Sequence, residues 1–430
     1  MNGNLVILIH EQNIDLIFGY ANIPVATARK SYYRIQEIET FLSQFIHSNH
    51  LQSESIKNII VAADLTMHFK NLKKCSFGYI QMGDLQNIKS QPKSYKNAVL
   101  DIYNLNISVD DSTSQNVQLE EYLHLLNDKG IDKIALNSSF STFNSQREKE
   151  LIISIQEAYP NTFTILPSSG YNSFNYILRE NNMLLDMLLY DSTGSFINEI
   201  KKAFNHLKIN APIYFVKGDG TLTGLNITLA SPMVTWQSFF ALQLISAGIV
   251  TGEKDAFILT QHNHGKKIGI IQNGLPKLSD TFSNYQGFHI PNSFPQSTYY
   301  DALTQDKALY HFLKYNNTFE GPVPIISYLK SFGSHSLFPY PIKEVKNHAT
   351  VMAEGAFNSF FQLELTSIVN SSKPGLIEKE KERLILKSSD ILKKDHIFLK
   401  SVAYSYELNQ IKYRLENAFY VKLIVKGKIN

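Results

Sequence analysis

The alternation of apolar and polar positions predicts that the chain begins with three strands and a helix. Residues 5–9 and 14–18 are apolar runs of strand length joined by a short polar loop, which is the pattern of a hairpin. A third strand is predicted near residues 25–30. Between residues 31 and 49 the apolar positions recur at spacings of three and four, which predicts an amphipathic helix.

Strand and helix patterns alternate through the rest of the chain, which favours an α/β fold. The predicted strands lie at residues 59–63, 75–82, 101–109, 133–140, 163–169, 256–259, 268–271, 323–327, 397–406 and 418–425. The predicted helices lie at residues 119–129, 144–159, 183–207, 236–248, 301–315 and 348–363.

Residues 211–276 bring several strand ends and loops together. A strand and a glycine-bearing turn precede the apolar helix 236–248, which ends at Gly248, and the strands 256–259 and 268–271 follow. The loop between these two strands carries histidines and lysines. Open α/β sheets bind ligands at the ends of their strands, so we expect the functional site here.

Composition and charge exclude several classes of protein. The chain of 430 residues is 43% hydrophobic and 18% charged, which is typical of a globular protein with two or three domains. A formal net charge of +3 gives no electrostatic basis for binding nucleic acid or a membrane surface. The single cysteine, Cys75, excludes an internal disulfide. We expect no signal peptide and no apolar segment of the roughly 20 residues that span a membrane, and therefore a cytoplasmic protein.

The central motifs resemble those of the hydantoinase A/5-oxoprolinase family. Asp219 and Gly220 match its Gln-Ser-Asp-Gly-Gly motif, Pro232 matches the proline that follows, and Ser238 and Ala241 match its Ser-Gly-Pro-Ala motif. Members of that family are ATP-dependent enzymes that open cyclic amides. The resemblance implies a two-lobed, actin-like architecture (ASKHA, ribonuclease H-like) with a cleft between the lobes.

The resemblance extends over most of the chain and implies its division. Residues 1–182 would form the N-terminal lobe and residues 183–430 the second lobe, with a last strand pair in residues 395–430. Glu148, Ser168, Ser169 and Arg179 also fall on polar positions of the family pattern. Family members often work in assemblies, so we expect a hydantoinase-type partner subunit or a homo-oligomer.

The motifs that hold nucleotide in the resembled family are degenerate here. In its first phosphate loop, Leu8 replaces an aspartate, His10 and Glu11 stand in place of glycines, and Asp15 is the aspartate that remains. In the second loop the aspartates are replaced by Thr260 and Lys267. Glycines let backbone N–H groups approach a phosphate, and carboxylates hold Mg²⁺. We therefore do not expect ATP and Mg²⁺ as cofactors.

The remaining polar residues of the predicted cleft are candidates for chemistry or ligand binding. The catalytic candidates are Asp15, Asp219, Ser238 and Lys267, and the cofactor-binding candidates are Gly220 and Gly333, the one glycine left in the loop that would contact adenosine. Two of them have a simpler explanation: Ser238 could cap the helix that follows it, and Lys267 could be a solvated loop lysine.

A metal site is a further hypothesis for the same cleft. Two histidines separated by one residue, with a carboxylate nearby, can bind Zn²⁺ or another transition metal. The candidate ligands are His10, Glu11, His262 and His264. The alternative is that they are polar loop residues of a relaxed former active site, because this spacing arises often by chance.

Two functions follow from these observations. The first is a pseudoenzyme that has lost ATP hydrolysis and acts as a nucleotide-independent binding or complex subunit. The second is a hydrolase of a small cyclic amide or amino-acid derivative that uses a rebuilt cleft with a small-molecule ligand.

Trp236, Phe239 and Phe240 add bulk beside the cleft and should fill the pocket or the core. A cleft filled by these side chains would favour the first function.

Overall fold

The structure of the chain is a computed structural model with the predicted mixed α/β content. It describes residues 2–10, 13–31, 34–71, 74–83, 94–95, 98–107, 112–139, 141, 145–171, 173, 175–262, 265–279, 283–285, 287–291, 294–300, 306–316, 319, 323–329, 340–346, 348–370, 375–411 and 418–429.

The strands are numbered in chain order. They are β1 (Gly3–Ile9), β2 (Asn13–Tyr20), β3 (Ile23–Ser31), β4 (Ile56–Ala63), β5 (Lys74–Met82), β6 (Ser94–Tyr95), β7 (Ala98–Ile107), β8 (Lys133–Ser138), β9 (Thr164–Pro167), β10 (Ile213–Val216), β11 (Leu222–Gly224), β12 (Ala256–His262), β13 (Gly265–Gln272), β14 (Leu275–Pro276), β15 (Ser283–Tyr285), β16 (Phe288–Ile290), β17 (Ser297–Tyr300), β18 (Ile325–Ser327), β19 (Ile342–Glu344), β20 (Phe361–Asn370), β21 (Leu399–Gln410) and β22 (Ala418–Ile429).

The α-helices are numbered in the same way. They are α1 (Ile38–Ser48), α2 (Ser112–Asp128), α3 (Gln146–Ala158), α4 (Tyr176–His206), α5 (Leu225–Ala230), α6 (Ser238–Thr251), α7 (Asp306–Asn316), α8 (His348–Asn358) and α9 (Leu376–Lys394). Short 3₁₀ turns lie at Ile35–Glu37, Ser53–Ser55, Leu65–Asn71, Ser168–Gly170 and Pro232–Thr235.

The largest sheet has nine strands in the order β21-β22-β20-β11-β10-β4-β1-β2-β3. Side chains of β1 alternate between two cores: Leu5 and Ile7 pack with residues of α1 and α4, whereas Val6 and Leu8 pack with residues of α6 and α8. A strand that is covered on both faces is apolar at every position. This double burial explains the uninterrupted apolar run at the start of the sequence.

Two further sheets complete the main architecture. In the first, β14-β13-β12-β18-β19 are neighbours and β17 also pairs with β13, so the sheet has six strands. In the second, the order is β6-β7-β5-β8-β9, and β7, β5, β8 and β9 run parallel. A small hairpin of β15 and β16 lies apart from them. The predicted strand pairs β1–β2, β12–β13 and β21–β22 are present.

Helix α6 lies between the nine-stranded and six-stranded sheets. Phe239 and Leu242 belong to the core formed with β1 and β4, and Phe240 and Leu244 belong to the core formed with β12 and β13. A helix that is covered on both sides is apolar all round, and every residue from Ser238 to Gly248 is buried.

This double burial corrects one expectation from the sequence. Among the described residues, the segment Pro232–Thr251 is long and apolar enough to cross a membrane by length and composition. The expectation that no apolar segment reaches that length was therefore wrong. Because 72% of the segment's apolar window is buried inside the molecule, it has the surroundings of a core helix in a soluble protein.

Helix α4 is the longest described helix and carries a buried carboxylate. The side chain of Asn175 caps its start by accepting hydrogen bonds from the N–H groups of Ile177 and Leu178 at 3.0 and 3.2 Å. Within the helix, Asp186 accepts hydrogen bonds from the N–H of Met233 and the hydroxyl of Ser231, both at 2.7 Å. Burial raises the pKa of Asp186 to about 7, although these hydrogen bonds oppose the rise. Asp186 thus fixes the turn that precedes α6.

Several predicted boundaries differ from the structure. The predicted helix 31–49 begins later because residues up to Ser31 belong to β3, and the predicted helix 348–363 ends at Asn358 because β20 begins at Phe361. The predicted lobe boundary at residue 182 falls within α4, and the nine-stranded sheet takes strands from both sides of it. The division into two lobes at that position stays a prediction.

Candidate functional site

The N-terminal hairpin places Asp15 in an ion pair. Asp15 lies on β2, opposite Arg29 of β3. Its carboxylate accepts two hydrogen bonds from the Arg29 guanidinium, at 2.5 Å from Nε and 2.9 Å from Nη2. The hydrogen bonds to Asp15 raise the pKa of Arg29. Asp15 is one of the predicted catalytic residues of the cleft. It is 2% exposed, and both of its carboxylate oxygens are paired with Arg29.

Asp64, directly after β4, holds the backbone at the start of α6. Its Oδ2 atom accepts a hydrogen bond from the N–H of Gln237 at 3.1 Å, and its Oδ1 atom accepts from the N–H and the hydroxyl of Thr66 at 3.0 and 2.6 Å. Burial raises the pKa of Asp64, while these hydrogen bonds and the charge of Lys267 act to lower it. Gln237 has φ of 61°, a left-handed conformation that residues other than glycine rarely adopt.

Lys267 of β13 reaches the same point from the other sheet. Its Nζ atom donates a hydrogen bond to Oε1 of Gln237 at 2.7 Å and lies 3.9 Å from the centroid of the Phe240 ring. Lys267 is 3% exposed, so it is not a solvated loop lysine. Burial lowers the pKa of Lys267 to about 7, although the charge of Asp64 acts to raise it. In a substantial share of the molecules the amine of Lys267 is therefore neutral at pH 7.

Aromatic side chains fill the space around the start of α6. The ring of Phe239 meets the ring of His10 edge-on, with 3.5 Å between the centroids. Trp236 packs edge-on against Tyr285 at 4.8 Å and against Phe294 at 4.5 Å. Burial lowers the pKa of His10 to about 4, so its imidazole is neutral at pH 7. Trp236 and Phe239 thus pack against two different cores, which agrees with the prediction that they fill the pocket or the core.

Ser238 is the first residue of α6 and is fully buried. The position that would cap the helix is Gln237, which makes no capping hydrogen bond through its side chain. The simpler prediction for Ser238, a helix cap, is therefore wrong. In the described part of the structure, its Oγ atom has no hydrogen-bond partner.

The predicted motif at Asp219 and Gly220 forms a closed turn. Asp219 accepts hydrogen bonds from Nζ of Lys217 at 2.9 Å and from the N–H and hydroxyl of Thr221 at 2.9 and 2.6 Å. Burial would raise the pKa of Asp219, but Lys217 and Thr221 outweigh it and hold the pKa below its usual value. Gly220 has φ of 83°, and a Cβ atom there would lie 2.3 Å from Cδ1 of Ile245. Glycine is therefore needed for this turn and its contact with α6.

The predicted metal ligands are described only in part. Glu11 and His264 lie outside the described residues, as does Gly333, the second cofactor-binding candidate. The backbone of His262 ends β12 opposite Gly265. Among the side chains that the structure describes, no group of three or more His, Cys, Asp and Glu residues could hold a metal ion. Metal binding at His10, Glu11, His262 and His264 stays a prediction.

A separate polar cluster joins the other residues that the family pattern singled out. Glu148 accepts a hydrogen bond from the hydroxyl of Ser168 at 2.7 Å and from the N–H of Ser169 at 3.0 Å. Arg179 donates to the carbonyl of Ser138 at 3.1 Å. Burial raises the pKa of Glu148, and hydrogen bonds from both serines oppose the rise. The cluster lies beside the ends of β8 and β9, and its hydrogen bonds hold these strand ends to α3 and α4.

The roles of Asp64 and Gln237 were not predicted. Asp64 directly follows a predicted buried strand, and a carboxylate at that position in an α/β protein is a signal for a site residue. No sequence signal marks Gln237. Its backbone is left-handed, and in a sequence that conformation is usually indicated by a glycine, which is not present here.

Comparison with known proteins confirms the fold. No protein-family model matches the sequence, and no curated protein matches it significantly. The ATP-dependent caprolactamase from Pseudomonas jessenii aligns with 99% of this chain and 88% of its own, with a TM-score of 0.69 and 10% identity. The nucleotide-free structure of acetone carboxylase, solved for the mechanism of ATP-dependent acetone carboxylation, aligns with 100% of this chain and 88% of its own, with a TM-score of 0.65 and 9% identity. The chain therefore has the fold of these two proteins over nearly its whole length, and the predicted two-lobed α/β architecture is correct.

Proposed function

We propose that this protein is a nucleotide-independent member of the hydantoinase/oxoprolinase type, which has lost ATP hydrolysis and acts as a binding subunit in a cytoplasmic complex. The observation that carries this proposal is the contact between Phe239 and His10, whose ring centroids are 3.5 Å apart. His10 belongs to the hairpin that would wrap nucleotide phosphates in the resembled family. Phosphate binding needs exposed backbone N–H groups at that hairpin, and an aromatic contact there presents an apolar surface to an anion.

The charges at the two hairpins also support loss of Mg²⁺–ATP binding. Mg²⁺ in phosphoryl-transfer sites is held by carboxylates and water. Asp15 is the aspartate kept from the resembled first loop, and Arg29 occupies both of its oxygens. Lys267 replaces an aspartate of the second loop and is buried against Phe240. To bind there, a Mg²⁺–nucleotide complex would have to break the ion pair between Asp15 and Arg29 and move Lys267 away from Phe240.

The experiment that tests the proposal is a turnover assay of the purified chain with ATP and Mg²⁺, alone and with a panel of small lactams and hydantoins. We expect phosphate release no faster than in buffer. Phosphate release that is faster than this, and that co-elutes with the chain in proportion to its amount through a second purification, would overturn the proposal. Release that separates from the chain in that purification would identify a contaminating ATPase.

A second candidate function is ATP-independent hydrolysis of a small cyclic amide or amino-acid derivative, and Lys267 favours it. A lysine whose pKa is lowered to about 7 is a base at neutral pH, as general acid–base catalysis requires. The buried hydroxyl of Ser238 directly follows Gln237, the hydrogen-bond partner of Lys267. In this function, Lys267 would accept a proton and Ser238 would contact the ligand.

Ring opening without ATP distinguishes the two functions. The measurement is product formation from the same lactam panel by the wild-type chain, Lys267→Met and Ser238→Ala, with Lys254→Met on the surface as a matched control. Activity that disappears in the first two variants and persists in the control would establish the hydrolase. No product from any of the four proteins is the result that the binding-subunit proposal predicts.

A further inference from the structure

Strand β21 forms one edge of the nine-stranded sheet and is exposed along its length. It pairs with β22 from Leu399 to Gln410, and in the described part of the chain no strand pairs with its outer edge. Most of its residues are exposed on both faces. Long edge strands present a row of backbone N–H and C=O groups to a partner strand, and natural proteins usually protect them.

The side chains of β21 alternate as if one face were covered. Val402, Tyr404 and Leu408 share a face, and Tyr404 and Leu408 lie opposite the buried residues Val425 and Val421 of β22. They therefore continue the core face of the sheet. Yet these three apolar side chains are 41%, 42% and 44% exposed. Polar or small residues occupy the alternate positions, which is the pattern of a half-buried strand.

Helix α9 covers the neighbouring strands and leaves this face open. It packs against β20 and β22, and Leu384 of α9 is buried in their common core. It also reaches β21 at Tyr406, whose ring lies 5.3 Å from Nζ of Lys381. The side chains of Tyr404 and Leu408, on either side of Tyr406, and that of Val402 stay more than two fifths exposed. A strand added at this edge would shield part of their surface from water.

We propose that β21 pairs antiparallel with β21 of a second copy of this chain, so that the two sheets become continuous across a two-fold axis. Such a symmetric pairing must match residues from the same face of the strand. Pairing centred on Ala403 satisfies this condition. It places Val402 opposite Tyr404 of the second copy and Ser401 opposite Ser405. Aromatic and β-branched residues in direct opposition are among the favourable cross-strand pairs.

The charges of β21 fit the same register. The strand carries one basic residue, Lys400, and one acidic residue, Glu407. The ladder with β22 shifts register between Leu399 and Ser401, so the regular pairing centred on Ala403 runs from Ser401 to Ser405 and contains neither charged residue. Like charges in direct opposition would destabilise the pair. The uncharged stretch Ser401–Ser405 therefore pairs with its own copy without opposed charges, which favours a second copy of this chain as the partner.

The opposite edge of the sheet is built differently. Strand β3 also exposes apolar side chains, Ile23 at 65% and Val25 at 62%. However, Pro24 lacks a backbone N–H, and Arg29 and Lys30 place two positive charges on this strand. Proline and positive charge are common devices that prevent edge pairing. β21 contains no proline, so β3 is the natural control for β21.

Sedimentation equilibrium of the full chain over a range of concentrations tests the inference. We expect the wild-type chain to reach twice its monomer mass. The double variant Val402→Glu and Tyr404→Glu should raise the dissociation constant of the dimer by about tenfold or more, because it removes apolar pairs and places carboxylates opposite one another. The matched control, Ile23→Glu with Val25→Glu on β3, should dimerise like the wild type. Circular dichroism checks that both variants are folded.

Amide hydrogen exchange of the wild-type chain gives a second measurement that needs no variant. Exchange across residues 401–407 should slow as protein concentration rises, whereas exchange in β3 should not change. A wild-type chain that is monomeric at all concentrations would overturn the inference. So would a dimer that the β21 variant leaves intact, or concentration-dependent protection on β3 instead of β21. The inference rests on the edge strand alone and stands apart from the nucleotide-independent function.

Discussion

Lys267 of β13 donates a hydrogen bond to the side chain of Gln237 at 2.7 Å, so the six-stranded sheet is tied to the start of α6. The backbone N–H of the same glutamine donates to Asp64, which follows β4 of the nine-stranded sheet. One residue therefore links both sheets. These two hydrogen bonds hold Gln237 in its left-handed conformation.

The buried lysine makes stability depend on pH above neutrality. An unfolded lysine titrates near about 10.4, whereas burial lowers the pKa of Lys267 to about 7. Between these values the unfolded chain binds more protons, so stability rises with pH, by up to about 1.4 kcal/mol per pH unit. Below pH 7 both states are protonated and the full penalty of burying the charge applies. Urea unfolding at a series of pH values measures this slope.

Lys267→Met should flatten the slope between about pH 7.5 and 9.5, because it removes the group that titrates differently in the two states. The exposed residue Lys254 provides the matched control, and Lys254→Met should keep the wild-type slope. An unchanged slope in Lys267→Met would show that the lysine is hydrated in solution, contrary to its burial in the structure.

Arg29 is predicted to stabilise the fold by pairing with Asp15. Arg29→Met would leave a carboxylate that is 2% exposed without its cation. Breaking a buried ion pair costs about 3–5 kcal/mol, and we expect about 2 kcal/mol here because Arg29 itself is 55% exposed. Urea unfolding of the variant measures the loss.

Two variants separate charge from shape at this pair. Asp15→Asn combined with Arg29→Met should recover part of the lost stability, because no uncompensated charge remains. Lys30→Met, on the adjacent residue, removes a surface ion pair with Glu37 and should change the unfolding midpoint little. Equal losses in Arg29→Met and Lys30→Met would contradict the account of Asp15.

Gly220 should be required for the turn, whether or not a ligand binds there. Gly220→Ala places a Cβ atom 2.3 Å from Cδ1 of Ile245 at a residue with φ of 83°. Gly274→Ala is the matched control, since its φ is 79° and nothing lies within 4 Å. We expect Gly220→Ala to destabilise the fold by about 1–3 kcal/mol more than the control, as overpacked sites do.

Ile245→Val removes the atom nearest to the new methyl group. The double variant with Gly220→Ala should therefore be more stable than the sum of the two single losses predicts, and chemical unfolding of all four proteins completes the cycle. Strict additivity would show that the methyl group is accommodated in another way.

Asp186→Asn should destabilise the fold through lost hydrogen bonds. The substitution replaces one carboxylate oxygen by an NH₂ group, so either the N–H of Met233 or the donors to the other oxygen, Ser231 and Asn182, lose their acceptor. Leaving such groups buried without partners costs about 1–3 kcal/mol each. Glu199→Gln, in the same helix but in a surface pair with Lys202, should change the unfolding free energy by less than about 0.5 kcal/mol. Similar losses in both variants would contradict the predicted role of Asp186.

The N-terminal strand pair was predictable because two apolar runs of strand length are interrupted by a short polar loop. β20 was missed for a local reason. Phe361, Leu363 and Leu365 show the alternation of a strand, but they begin shortly after the alanine-rich helix α8. The helical pattern was extended across the boundary, where neither a proline nor a glycine marks the end of the helix.

The environment of the candidate site could not be predicted in the same way. Asp219 was predicted from a local motif, and its partners Lys217 and Thr221 lie two residues away. Gln237 and Asp64 meet across 173 positions, and the buried lysine depends on both. Such contacts follow from the packing of two sheets around α6, and the periodicity of a single segment carries no information about them.

The measurement that tests the central claim most directly is thermal unfolding of the purified chain alone, with ADP, and with ATP plus Mg²⁺. A ligand at about a hundredfold over its dissociation constant would add about 2.7 kcal/mol to the stability of the native state. The account predicts no change in the unfolding midpoint with either nucleotide, because in the proposed function Phe239 packs on His10, Arg29 pairs with Asp15, and Lys267 replaces an aspartate. A midpoint that rises with the concentration of ATP and Mg²⁺ would contradict it.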